Sequence, residues 1–180
     1  MMNTSLETDR LLLRSWQDDD YAPFAAMNQD ARVMEFFPAL WSTAESHACI
    51  ERFRRAHAEN GWAMWAAELK ATGAFIGFIG LNIPSYPLPF DPGVEIGWRL
   101  AHPYWGQGLA TEGATAALQF GFKTLNLDRI IAFTPTLNLR SEAVMRKIGM
   151  VNTHANFRHP KVPDGHRLQE HLLYQTEPPI

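Results

Sequence analysis

Three things are scarce in this sequence, and each scarcity excludes something. Cysteine occurs once, at Cys49, so no internal disulfide can form and a reducing compartment is the expected setting. No run approaches the roughly 20 apolar residues that a membrane span needs. Charge is nearly balanced, with a net −3 when His is neutral, which leaves no global basic field to hold nucleic acid. The start, MMNTSLETDR, is polar and lacks an apolar signal core. A cytoplasmic protein with no membrane partner, no direct nucleic-acid partner and no metal is the expectation. Present instead are 180 residues, 46% of them hydrophobic and 19% charged. That is enough for one domain, expected to span residues 1–180, with a sizeable core.

Hydrophobic periodicity divides the chain. RLLLRSW (Arg10–Trp16) reads as a strand, and DDDYAPFAAMNQ (Asp18–Gln29) as a helix with an acidic first turn. STAESHACIERFRRAHAENG is the clearest helix, because Ser42 and Glu45 have capping-box spacing and Gly61 is a natural stop. WAMWAAEL, AFIGFIGLNI and VEIGWRL read as strands, the last two joined by PSYPLPFDPG, an irregular loop with four prolines. A helix follows from Leu109, with Ala110, Ala114, Ala117, Leu118, Gly121, Phe122 and Leu125 on one stripe. RIIAFT is a strand and NLRSEAVMRKI a helix stopped by Gly149; MVNTHANF and RLQEHLLYQT are expected as closing strands. The order is β-α-α-β-β-β-α-β-α-β-β, with one strand–helix–strand unit shaped like a parallel crossover. This implies a mixed α/β (α+β) fold of about seven mostly antiparallel strands and four helices, not a doubly wound nucleotide fold.

One stretch demands a chemical explanation. In WRLAHPYWGQGLAT (Trp98–Thr111) a strand turns into a helix through Gly106-Gln107-Gly108. The first backbone N–H groups of a helix have no internal partner, and the helix dipole makes that end positive. Glycine lets such a backbone approach an anion without Cβ obstruction. Gly106, Gln107, Gly108, Leu109, Ala110 and Thr111 therefore form a candidate phosphate cradle. An ordinary Gly-rich turn is the competing reading, since the third glycine of G-x-G-x-x-G and the lysine of a P-loop are both absent.

The surrounding motifs resemble the GNAT acetyltransferase superfamily, whose coenzyme A loop reads Q/R-x-x-G-x-G/A. Gly108 and Ala110 fit its last two positions, while Trp105 stands where Gln or Arg is usual. EIGWRLAHPYWGQGLATEGA (Glu95–Ala114) is similar to the RimJ/RimL-like branch, the N-terminal acetyltransferases of ribosomal proteins. LETDRLLLRSW and NLRSEAVMRKIGM resemble that branch's first strand and later helix. The resemblance implies acetyl-CoA as cofactor, the acetyl group moving from its thioester to a primary amine by direct attack. It places the diphosphate on the Gly106–Thr111 backbone and the pantetheine beside the strand ending in Trp98, Arg99 and Leu100, whose backbone supplies the oxyanion donor. It also implies that Asn138 contacts pantetheine. Many relatives carry a Tyr at the position of Met145 as the thiolate's proton donor; here Ser141, one helical turn beyond Asn138, is the remaining candidate.

Ordinary readings compete at each position. Asn138 and Ser141 also suit a helix cap and first turn. Glu95 is either a base near the incoming amine or half of a solvent-facing pair with Arg99, on the strand face opposite Val94, Ile96, Trp98 and Leu100. Glu112 is expected to be structural, complementing the dipole, and His102 a turn residue. Family topology alone places Glu35, Trp41 and the His159–His166 loop along the acceptor groove. For the acceptor, deprotonation costs about 1 kcal/mol for an α-amine and about 4–5 for Lys at pH 7. With no strong base evident, a peptide or protein N-terminal α-amine is favoured, a ribosomal protein among the candidates. A small amine (amino acid, polyamine or aminoglycoside) is the alternative, and a non-catalytic CoA-binding module a second. A homodimer is left open.

Overall fold

Nine strands and four helices lie along the described residues, 4–178, of the computed structural model. They are β1 (Leu6–Glu7), β2 (Leu11–Arg14), α1 (Tyr21–Asn28), α2 (Thr43–Asn60), β3 (Met64–Leu69), β4 (Ala74–Asn82) and β5 (Val94–Leu100), then α3 (Leu109–Lys123), β6 (Ile130–Pro135), α4 (Leu139–Lys147), β7 (Val151–Asn152), β8 (Phe157–Arg158) and β9 (Glu170–Thr176). Local chemistry sets the ends. The Glu45 amide donates to Ser42 Oγ at 3.2 Å and the Ser42 amide to Glu45 Oε2 at 2.7 Å, closing the capping box that opens α2. Gly61 ends α2 in the left-handed region at φ +80°.

All nine strands belong to one sheet, ordered β1-β2-β3-β4-β5-β6-β9-β7 with β8 also on β9. Every pairing is antiparallel except β5 with β6. That parallel pair is brief: Val94 faces Ile130 and Glu95 faces Ile131, and then the strands part. The rest of β5 stays on β4, and the rest of β6 on β9. One sheet face packs on α3, where Ile79, Leu81, Ile96, Ala114, Ala117 and Leu118 share a core. The opposite face packs Phe24, Ile50, Phe53 and Phe78 from α1, α2 and β4.

The mixed, mostly antiparallel sheet with four helices agrees with the sequence expectation. Two details differ. MVNTHANF is not one strand: β7 pairs with Tyr174–Gln175 and β8 with Glu170–His171, so four residues, 153–156, stand where β9 has only Leu172 and Leu173. The surplus folds into a turn, with His154 at φ +58° and its amide on Asn152 Oδ1 at 2.8 Å. On α3 the expected stripe is displaced. Gly113 and Phe120 are buried, while Ala110, Phe122 and Leu125 only border the core. Gly113 permits this, since a Cβ there would lie 2.4 Å from Ile79 Cδ1.

Candidate active site

The α3 N-terminus opens onto the end of β5. Gly106 and Gly108 hold φ +71° and +77°, where a β-branched side chain is strained. Gly108 is the N-cap, and among the described residues no side chain caps the helix. The first intrahelical bond runs from the Glu112 amide to the Gly108 carbonyl at 3.0 Å, so the amides of Leu109, Ala110 and Thr111 lack helical partners. Arg10 braces the loop, donating from Nη1 to the Gln107 carbonyl at 2.8 Å and from Nε to Glu112 Oε2 at 2.6 Å. Thr8 Oγ1 also donates to Glu112, at 2.6 Å. Glu112 is thus the structural residue expected, and its partner Arg10 brings a cation to an anion-seeking turn. Sequence reasoning missed Arg10, because 102 residues separate it from Glu112.

Where β5 leaves β6, backbone lies open. The Ala101 amide bonds the Ile76 carbonyl at 2.9 Å, on the β4 side. Strand alternation then turns the N–H and C=O of Trp98 and Leu100 into the gap. The Leu100 carbonyl there accepts the Trp105 indole N–H at 2.7 Å. Trp105, unusual at its loop position, thereby locks the turn to the strand end. His102 begins the short helical turn His102–Tyr104, its ring 4.9 Å from that of Trp105. An unpaired strand edge beside an uncapped helix start fits a chain of amides ending in a diphosphate.

Across the gap, Asn138 caps α4. Its Oδ1 accepts the Ser141 amide at 3.2 Å, and its Nδ2 donates to Thr134 Oγ1 on β6 at 3.1 Å. The cap reading is therefore correct, and the second bond fixes α4 to the splayed strand. Ser141 is partly buried, and its hydroxyl has no partner among the described residues. Met145 is a core residue, 1% exposed, and closes the position where relatives carry a tyrosine.

The other face of β5 differs from the solvent-facing pair considered above. Glu95 and Arg99 are both partly buried and do not meet. Glu95 accepts a long 3.3 Å bond from Asn82 Nδ2, and burial pushes its carboxyl up to about 7. Arg99 enters a cage of Phe37, Trp41 and Phe78, its guanidinium carbon 4.1, 4.5 and 5.3 Å from the ring centres. It donates to Asn28 Oδ1 at 2.7 Å, its Nε has no partner among the described residues, and burial pulls it down to about 10. Glu35 ties the α1–α2 connection to α4 through Arg140 at 2.8 Å, and its carbonyl accepts from Arg167 at 3.0 Å.

His159 is buried nearby. Its Nδ1 accepts the Lys161 amide at 3.2 Å, which leaves the proton on Nε2, 3.1 Å from Tyr86 Oη. The His171 ring lies 4.7 Å away. Burial holds both imidazoles down at about 4, so they are neutral at pH 7. Tyr86 comes from the proline-rich loop, where only its aromatic ring among prolines could have marked it. His166 instead braces the 159–169 turn, accepting the Leu168 amide at 3.1 Å.

Comparison with known proteins gives the same reading. Residues 10–151 match the model of the acetyltransferase (GNAT) domain family. The uncharacterized protein YkkB of Bacillus subtilis is 33% identical over 148 residues, covering 82% of this chain and 85% of that protein. The uncharacterized N-acetyltransferase YnaD of the same organism is 32% identical over 146 residues, covering 81% of each. A crystal structure of a GNAT-family acetyltransferase from Bacillus anthracis superposes with a TM-score of 0.80 at 26% identity, over 97% of this chain and 98% of that one. With a family match over most of its length, this chain belongs to the GNAT acetyltransferases, and it is an enzyme that acetylates an amine from acetyl-CoA.

Proposed function

We propose that the acceptor is the α-amine of a peptide or protein N-terminus, as in the ribosomal-protein branch that the Glu95–Ala114 motif resembles. Glu95 carries this reading. A carboxyl raised to about 7 on the β5 face turned toward α1 and α2 is a base matched to an α-ammonium. Transfer from an α-ammonium of pKa about 7.7–8.0 is uphill by roughly one unit, against more than three for Lys at about 10.4.

Acetyl-CoA supplies an activated thioester, and the chain's own residues do the rest. The amides of Leu109, Ala110 and Thr111, with Arg10 beside them, bind the diphosphate. The open edge of β5 pairs with the pantetheine amides, and an N–H at Trp98 or Leu100 donates to the thioester oxygen. Glu95 takes one proton from the α-ammonium, which frees the nitrogen lone pair to bond to the acetyl carbon, and the nitrogen's second proton leaves with the sulfur as the thiol. The C–S bond breaks, and the Ser141 hydroxyl donates a hydrogen bond to the departing sulfur. Asn138 holds Ser141 in place and contacts pantetheine.

The test is competition between a short peptide with a free N-terminus and the same peptide N-blocked but carrying Lys. The free N-terminus is expected to react at least tenfold faster at pH 7.5. Faster reaction of the blocked Lys peptide would overturn the α-amine reading and leave the cofactor assignment intact.

A further inference from the structure

A cavity of about 370 Å³ lies between the second half of α2 and the loop that follows β4. Arg52, Arg55, Glu59, Asn82, Tyr86 and Lys161 are among its lining residues. Three cations therefore face one carboxylate, in a chain whose net charge is −3. Among the described residues, none of Arg52, Arg55 and Lys161 has a carboxylate within ion-pair distance. Their neighbours are soft instead. Arg52 Nη2 lies 3.3 Å from Cys49 Sγ, and Lys161 Nζ lies 4.1 Å over the Tyr86 ring. Such contacts fix a cation in place without neutralising it.

The cavity adjoins the chemistry through Asn82, which lines it and donates to Glu95. Arg99 adds a fourth cation on the Glu95 face of β5, with a buried Nε that has no partner among the described residues. From these placements we propose that the acceptor bears acidic groups beside its amine, and that the Arg52–Arg55–Lys161 cavity receives them while the amine meets Glu95. The inference rests on the α-amine reading for the macromolecular form of that acceptor, an acidic N-terminal peptide. It also sets aside polyamines and aminoglycosides, whose charges the cavity repels.

The experiment compares kcat/KM for three peptides of equal length with free N-termini, carrying acidic, neutral or basic residues at positions two to four. Aspartate and spermidine serve as small-amine probes, at about 20 and about 200 mM salt. The acidic peptide is expected to exceed the basic one by about tenfold at low salt, with the gap narrowing at high salt. Arg55→Gln and Lys161→Gln should each lower the acidic-to-neutral ratio by about threefold through KM, the size exposed ion pairs support. Glu59→Gln should raise that ratio. A basic peptide that reacts as well as the acidic one, or a ratio indifferent to all three substitutions, overturns the inference while leaving the α-amine reading standing. Reaction with aspartate but no peptide has the opposite result: the α-amine peptide reading falls and the acidic-acceptor inference is supported.

Discussion

The two sides of β5 solve recognition differently. Toward α3 and the β5–β6 gap the site is built of main chain: an uncapped helix start, two glycines at positive φ and strand amides with no partner strand. Toward α1 and α2 it is built of side chains: Glu95 at about 7, Arg99 in its aromatic cage, Tyr86 on His159, and the basic cavity beyond. Backbone recognition needs only glycine and a correct turn, so one donor site can serve many relatives. Side-chain recognition depends on which residues stand there, and under the proposed function that is the side on which the acceptor is selected. On this reading, substitutions facing the gap should alter acetyl-CoA binding or thiolate departure, and those on the Glu95 face should alter proton transfer and acceptor choice.

The largest break is expected at Glu95→Gln. Loss of a general base costs about 10²- to 10⁴-fold, so kcat/KM should fall at least a hundredfold with acetyl-CoA affinity unchanged. The parent rate should rise with pH through about 7 as the carboxylate forms, and the variant should lose that limb. Stability gives a second readout. A carboxyl whose folded value is raised binds more protons folded than unfolded between its ordinary value near 4.5 and about 7. Its charged form therefore costs stability that grows as pH rises through that window. The melting temperature of Glu95→Gln relative to the parent should accordingly be higher at pH 8 than at pH 5. A pH-independent difference, with full activity, would remove Glu95 from the mechanism.

Next in size is Gly108→Val, which strains the +77° backbone and sets a branched side chain at the helix start. Calorimetry should record at least a tenfold loss of acetyl-CoA affinity, with acceptor preference unmoved. A folded variant with unchanged affinity would refute the anion-cradle assignment. The smallest effect is expected at Ser141→Ala: a fall in kcat of a few-fold with little change in acetyl-CoA affinity, the pattern of an interaction made mainly in the transition state. Because Asn138 caps the helix through the Ser141 amide and not its hydroxyl, the variant should keep the parent's stability. Lost stability with normal kcat would reduce Ser141 to a first-turn residue.

The same division explains what the sequence could tell. Capping signals at Ser42 and Glu45, the glycine stop at Gly61 and the glycine pair before Leu109 are local, and the elements they mark stand where they were expected. MVNTHANF misled because alternation suggested a strand, whereas the two surplus residues show only against β9. For Glu95 and Arg99, alternation gave the correct face of β5 but not what covers it. Phe37 and Trp41 arrive from the α1–α2 connection, and Asn82 from the neighbouring strand. Burial of that kind is a property of distant segments, so neither the raised Glu95 carboxyl nor the aromatic cage around Arg99 was visible beforehand. Arg10 was hidden for the same reason.

The short contact between β5 and β6 has a further consequence. A sheet interrupted at its centre has two inner edges. Trp105 already takes the Leu100 carbonyl, but the Leu100 amide and the N–H and C=O of Trp98, also turned into the gap, must find water or a ligand. A ligand that bridges those edges acts as a missing strand, extending hydrogen bonding across the break between the two halves of the sheet. Binding and folding are then linked by mass action: at a hundredfold excess over its dissociation constant, a ligand adds about 2.7 kcal/mol to the folded state. The cellular level of the acetyl donor would therefore influence how long the protein persists as well as how fast it works.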